Sequence, residues 1–177
     1  GFGGNDMVYL YKKLDIPVYF PQDELVFNAE VIIPGRQTRE VFQIQDIRFG
    51  FDRSRIDESS RQYLDKVIGL MLAYPGLQLH VKGYADALGN ETYNMKLSLL
   101  RANAVAAYLS RNGNLSGRIS VEAYGEKNPV ALNQNQDGQD NPFGRMYNRR
   151  VELTFDHLPD GISVSSMNDL PDDLRVR

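Results

Sequence analysis

Asp86 and Arg101 are the residues of this chain whose types and placement most demand a chemical explanation. Arg101 falls at helical spacing among Leu97, Leu100, Ala104, Val105 and Tyr108, inside the stripe that would face a core, and Asn94 lies close to that stripe upstream. A guanidinium cannot shed its charge near neutral pH, so a partly buried one needs a carboxylate or several acceptors. Asp86, in the loop that feeds this helix, is the nearest acidic partner. Two arrangements satisfy the spacing. In one, the pair is a salt bridge that pins the loop to the helix. In the other, Asp86 takes an ammonium and the planar fork of Arg101 takes a carboxylate, which makes a receptor for a zwitterion. Spacing leaves both open.

The elements that must position these residues follow from periodicity. Ile44, Ile47, Phe49 and Phe51 read as a first strand, and Asp57 as the N-cap of a helix carrying Leu64, Val67, Ile68, Met71 and Leu72. Pro75-Gly76 stops that helix. Leu77, Leu79 and Val81 alternate as a second strand, with Gln78, His80 and Lys82 on its other face. A loop with Gly83, Asp86 and Gly89 leads to the helix of Arg101, which has Asn90 as its N-cap and Asn112-Gly113 as its end. Ile119, Val121 and Ala123 form a strand, a long polar loop follows, and Val151, Leu153 and Phe155 form the last strand. The order β-α-β-α-β-β implies an α/β two-layer sandwich, a mixed sheet with both helices on one face.

Composition narrows the function. The 177 residues are 42% hydrophobic and 24% charged, as in a globular fold, and 20 basic against 23 acidic side chains give a net charge of −3. That balance offers no general attraction to nucleic acid. No apolar run approaches the roughly 20 residues of a membrane-spanning helix, so no direct membrane insertion is expected of this chain. The absence of cysteine removes disulfides, thiolate zinc sites and thiol nucleophiles. Two isolated histidines, His80 and His157, make a poor metal set, and both read as surface residues. The run Asn133–Gly138 matches only the opening of a calcium loop, since Gly144 stands where the closing acid belongs, and it reads as a solvated insertion. A glycosidase could pair Asp86 with Glu91, but Glu91 sits in a first helical turn, where it serves the helix dipole. No nucleophile elbow or phosphate-binding glycine loop occurs. The expectation is a protein without catalysis, cofactor or metal.

Gly83, Asp86, Gly89, Asn94, Leu97, Ser98, Arg101, Ala102, Val105 and Leu109 resemble the core signature of the OmpA-like (OmpA/MotB/Pal) peptidoglycan-binding domain. The similarity continues through Gly113, Gly125 and Pro129 to Gly144, Arg145 and the run Asn148–Glu152, and upstream the run Ile47–Asp52 looks like the family's first strand. It spans about residues 43–156. The resemblance implies non-covalent binding of the cell wall of Gram-negative bacteria from the periplasm, through the zwitterionic side-chain end of diaminopimelate in the stem peptide. It implies that Asp86 holds the ammonium and Arg101 the carboxylate, with Asn94, Leu97, Asn148 and Arg149 lining or supporting the pocket. One departure is clear: Tyr84-Ala85 stands where the family usually has a polar pair such as His-Thr. Tyr84 supplies a replacement contact or is an inward-facing strand residue, and the second reading is preferred. Arg149 is assigned to the pocket, and Arg150 to solvent or to a pair with Glu152.

Four segments are expected. Residues 1–15 are a remnant strand of an upstream domain. Their GFGGND opening resembles the closing motif of a TolB-like β-propeller blade, and a glycine-rich remnant before an edge strand fits equally well. Residues 16–42 are a linker with a strand or hairpin, 43–156 the binding domain, and 157–177 an acidic linker or tail. A start at Gly1 without initiator Met or signal-like segment reads as part of a longer, outer-membrane-associated protein that the domain would tether to the wall. The rival readings are a protein–protein adaptor, in which Asp86 and Arg101 form a purely structural pair, and an envelope hydrolase that uses Asp86 as acid or base.

Overall fold

A computed structural model describes residues 40–167 and 169–176, which fall in a unit bounded by Arg39 and Arg177. The expectations for residues 1–15, including the propeller resemblance, and for 16–39 lie outside the described residues. In chain order the elements are β1 (Glu40–Ile44), β2 (Ile47–Arg48), α1 (Glu58–Ala73), β3 (Leu79–Gly83), α2 (Glu91–Gly113), a 3-10 turn (Ser116–Arg118), β4 (Ile119–Ala123), α3 (Pro142–Asn148), β5 (Arg150–Phe155), β6 (Ile162–Ser166) and a 3-10 turn (Asp172–Leu174).

Four strands form one mixed sheet in the order β2-β5-β3-β4, with β3 parallel to β4 and β5 antiparallel to both β2 and β3. Parallel neighbours need a crossover, and α2 supplies it between β3 and β4. The register sets Val81 beside Val121 and Leu153, and Gly83 beside Val151. Leu79, Val81, Val151 and Leu153 thereby share the face that meets Leu64, Val67 and Met71 of α1 and Ala102, Val105 and Leu109 of α2, all buried. The other face carries His80, Lys82, Glu122, Arg150 and Glu152, so both long helices lie on one side of a sheet, the expected two-layer sandwich. Local signals start and stop these helices. Asp57 caps α1 by accepting from the Ser60 amide at 2.8 Å, and the Ser60 contacts hold its carboxyl below the ordinary range. Asn90 caps α2 by accepting from the Tyr93 amide at 2.8 Å. The end of α1 is closed from a distance: Arg118 donates to the carbonyls of Met71, Tyr74 and Leu77 at 2.7–2.9 Å.

Several elements differ from the sequence expectation. The first strand is broken into β1 and β2, and β1 leaves the main sheet to pair in parallel with β6. Phe51 lies beyond β2 at 64% exposure rather than in a strand. Helical spacing puts Leu72 and Leu100 on apolar stripes, yet both face solvent, Leu100 at 56% exposure. The buried stripe of α2 runs instead through Asn94, Ser98, Arg101, Ala102, Val105 and Leu109, with Arg101 near its centre. The polar loop before the last strand contains α3, opened by Asn141 as N-cap and a proline in the first turn. The residues expected as an acidic tail contain β6, whose short alternation of Ile162 and Val164 is completed only by its partner β1.

The α2 stripe is set against the sheet by contact too close for a side chain. A Cβ added at Gly83 would lie 2.1 Å from the Ser98 carbonyl oxygen and 3.1 Å from Ala102 Cβ. Ser98 fixes the same turn by accepting from the Gly125 amide at 3.0 Å and donating to the Met95 carbonyl at 2.8 Å. One turn on, Arg101 is aimed at the end of β3. Gly83→Ala is therefore expected to lower stability by about 3 kcal/mol or more, since the obstruction is backbone and cannot yield by a rotamer change. Chemical denaturation of the variant checks this.

Candidate functional site

The loop from β3 to α2, the loop after β2 and the end of α3 converge beside Arg101. Its side chain is wholly buried, at 0% exposure. It donates from Nε to the Arg53 carbonyl at 3.0 Å, from Nη1 to the Tyr84 carbonyl at 3.1 Å and from Nη2 to the Gly50 carbonyl at 3.3 Å. The Phe49 ring lies 5.5 Å from its guanidinium carbon. Among the described residues no carboxylate stands within ion-pair distance of it. Burial pulls its pKa down to about 10, against the opposing field of Asp86, so it stays charged at neutral pH.

Asp86 is 5% exposed and spends itself elsewhere. Its Oδ1 accepts from the Leu88 amide at 3.1 Å, its Oδ2 accepts from Arg149 Nη1 at 2.8 Å, and Arg145 Nε stands 3.8 Å from Oδ2. The direct Asp86–Arg101 salt bridge weighed from spacing is thus not formed. A carboxylate flanked by two arginines has no need of a third, and Arg101 reaches carbonyls first. Two buried guanidiniums, Arg101 and Arg145, and the half-buried one of Arg149 face a single buried carboxylate, with Asp140 on Arg145 and Asp52 at the rim as the more exposed acids nearby.

A cleft of about 130 Å³ opens over this cluster, several times the roughly 10–15 Å³ one water requires. Asp86, Arg101, Arg149 and Leu97 line it, together with Phe51, Asp52, Leu88, Gly89 and Tyr93. Phe51, Leu88 and Tyr93 are exposed, so an apolar rim surrounds a charged floor. Tyr93 donates its hydroxyl to Asp52, closing one side.

Four of the residues expected at the site do not line the cleft. Asn94 is buried and donates to Glu126 at 2.6 Å. Asn148 accepts from the amides of Val130 and Ala131 and donates to the Ala131 carbonyl and Asn133, so it braces the 130–133 segment. Ala85 is buried and donates its amide to the Gly125 carbonyl at 2.7 Å. Tyr84 offers the site its carbonyl only. Its ring lies on the far face of the sheet, stacked on Tyr124 at 5.1 Å and covered by the Arg150 guanidinium at 3.9 Å, and burial raises its phenol pKa. Arg150 pairs with Glu152 at 2.6 Å, yet it is buried. Of the lining residues that sequence reasoning missed, Tyr93 carried a signal, because Tyr93, Leu97 and Arg101 stand four apart on one helix face. Phe51 and Asp52 carry none, since the periodicity places Phe51 in a strand and nothing in the sequence marks Asp52 as more than a loop residue. His80 also gains unforeseen partners, Ser120 at 2.6 Å and Asp156 at 2.6 Å, on the exposed sheet face and away from this cleft.

Comparison with known proteins gives the OmpA family as the family whose pattern matches, over residues 48–142. The chain is 40% identical over 109 residues to photosystem I P700 chlorophyll a apoprotein A2 of Gloeobacter violaceus, covering 62% of this chain and 12% of that protein. It is 39% identical over 115 residues to outer membrane porin F of Pseudomonas aeruginosa, covering 64% and 31%. To the peptidoglycan-associated lipoprotein of Pasteurella multocida it is 31% identical over 121 residues, covering 64% and 77%. The chain thus spans under a third of the length of the first two. The crystal structure of the peptidoglycan-associated lipoprotein from Burkholderia pseudomallei shares the fold, with a TM-score of 0.56 at 24% identity over 63% of this chain and 89% of that one.

The pairing of Asp86 with Arg149 sets a thermodynamic test. Arg149→Gln leaves a buried carboxylate short of its contact at 2.8 Å and should cost about 3 kcal/mol. In a double-mutant cycle with Asp86→Asn, the double variant should lose less than the sum of the singles by about 1–3 kcal/mol. Denaturant titration of the four proteins measures both quantities.

Proposed function

The chain belongs to the OmpA family, and on that premise we propose that it binds peptidoglycan without chemistry, tethering a larger outer-membrane-associated protein to the cell wall from the periplasm. The matched relatives that are named for the outer membrane and for peptidoglycan support this reading. The observation that carries it is the buried charge of Arg101, which opens on a cleft and has no contacting carboxylate.

The ligand proposed is the side-chain end of diaminopimelate in a stem peptide. Its carboxylate lies over Arg101 and Arg149 and supplies the negative charge the floor lacks. Its ammonium meets Asp86, sharing that carboxylate with Arg149. The methylenes of the same side chain pass between Phe51, Leu88 and Leu97. Arg101 stays charged at neutral pH, so its role needs no protonation switch. Each charge-assisted contact contributes about 1.5–3 kcal/mol, against association costs of several kcal/mol, so one peptide binds weakly. A polymer displaying many such peptides converts weak contacts into retention through rebinding and multivalency.

Because Arg101 also holds the loop after β2, the cleanest test alters the ligand. Calorimetric titration of the 177-residue chain with a diaminopimelate stem peptide should give saturable binding. Replacing diaminopimelate by lysine, which removes the carboxylate, should weaken binding at least about tenfold, and removing the terminal amine should weaken it as well. Failure of the diaminopimelate peptide to bind at millimolar concentration would overturn the proposal, as would equal affinity for all three peptides.

A further inference from the structure

A second cleft, of about 470 Å³, adjoins the first and shares Leu88 with it. Ala87 and Leu88 form the ridge between them. Its walls are Pro129, Ala131, Leu132 and Val176, with Arg145 and Asp140 as the charged groups. We propose that this cleft is a subsite for the same ligand chain, taking the backbone residue next to the zwitterionic one through a terminal carboxylate on Arg145. The inference rests on the peptide-binding reading above and extends it.

Arg145 is the group that makes this a site. It is 8% exposed, and its Nε finds no hydrogen-bond acceptor. Of its two carboxylate neighbours, Asp86 is 3.8 Å away and already bonded to Arg149 at 2.8 Å. The other, Asp140, contacts Nη1 but has its side chain 57% exposed, so water screens it and an incoming carboxylate can take its place. A buried guanidinium held this way gains more from a desolvated ligand carboxylate than from a solvated aspartate.

The walls are fixed before any ligand arrives. Leu132 donates its amide to the Leu174 carbonyl at 2.8 Å and Val176 donates to Val130 at 3.3 Å, and these bonds tie the C-terminal segment along the cleft. Asn133 accepts from the Ala87 amide at 3.3 Å and from Asn148 at 2.9 Å, which couples the ridge to the far wall. Walls that mix Pro129, Ala131, Leu132 and Val176 with the amides of Asn133 and Gln134, beside one buried cation, suit a small uncharged side chain followed by a carboxylate.

The test compares a stem peptide that ends at diaminopimelate with the same peptide extended by one alanine on its backbone carboxyl. By calorimetry the extension should tighten binding about five- to tenfold, and amidating the new terminal carboxylate should remove the gain. Leu132→Trp fills the second cleft and leaves the first untouched. It should bind the short peptide as wild type does and show no gain from the extension, with an unchanged melting temperature confirming its fold. Equal affinity of wild type for the short and extended peptides would overturn the subsite and leave the first cleft standing, as would a gain that persists in Leu132→Trp. Failure of both peptides to bind would overturn the parent reading and this one together.

Discussion

A buried guanidinium has to be satisfied largely by the protein, and Arg101 draws three parts of the fold together in being satisfied. Its acceptors are Gly50 and Arg53 in the loop after β2 and Tyr84 at the end of β3. Without them a buried charge on α2 would cost several kcal/mol. With them the loop is pulled over the helix, and Phe51 and Asp52 arrive at the rim of a cleft. Carbonyl dipoles satisfy the donors but leave the net charge in place. The same interaction thus stabilises the site and leaves it in want of an anion.

The rest of the architecture serves that placement. Gly83 lets α2 approach β3 until Ser98 touches backbone, which fixes the height of Arg101 above the sheet. The antiparallel insertion of β5 between β2 and β3 brings the end of α3 beside the β3–α2 loop, so that Arg149 and Arg145 reach Asp86 from a distant part of the sequence. Asn148, with both of its polar atoms engaged, holds the 130–133 segment against α3 and so shapes the neighbouring cleft.

What the sequence reveals follows the range of the interactions. The caps Asp57 and Asn90 and the alternation of Leu79 and Val81 are local, and they read correctly. The place of Arg101 on a buried stripe was also legible, because helical geometry fixes neighbours within a few turns. Its partners were not: the carbonyls it reaches lie 17–51 residues away and carry no side-chain signature. The same limit applies to Asp86 and Arg149, which are 63 residues apart. Leu100 faces solvent because the buried stripe of its helix is not the one richest in leucine and tyrosine but the one containing Asn94, Ser98 and Arg101. Apolar spacing misleads where a helix packs through close backbone contact and buried polar groups rather than bulk. Helix α3 was hidden by its length of seven residues, though Asn141-Pro142 is a recognisable start.

The central claim is that the uncompensated charge of Arg101 reads a carboxylate. A crystal structure of the chain with the diaminopimelate stem peptide tests it directly. The account places a ligand carboxylate oxygen at hydrogen-bond distance, about 2.7–2.9 Å, from the guanidinium of Arg101 within the cleft. A bound peptide whose carboxylate lies elsewhere, with only water over Arg101, would contradict it.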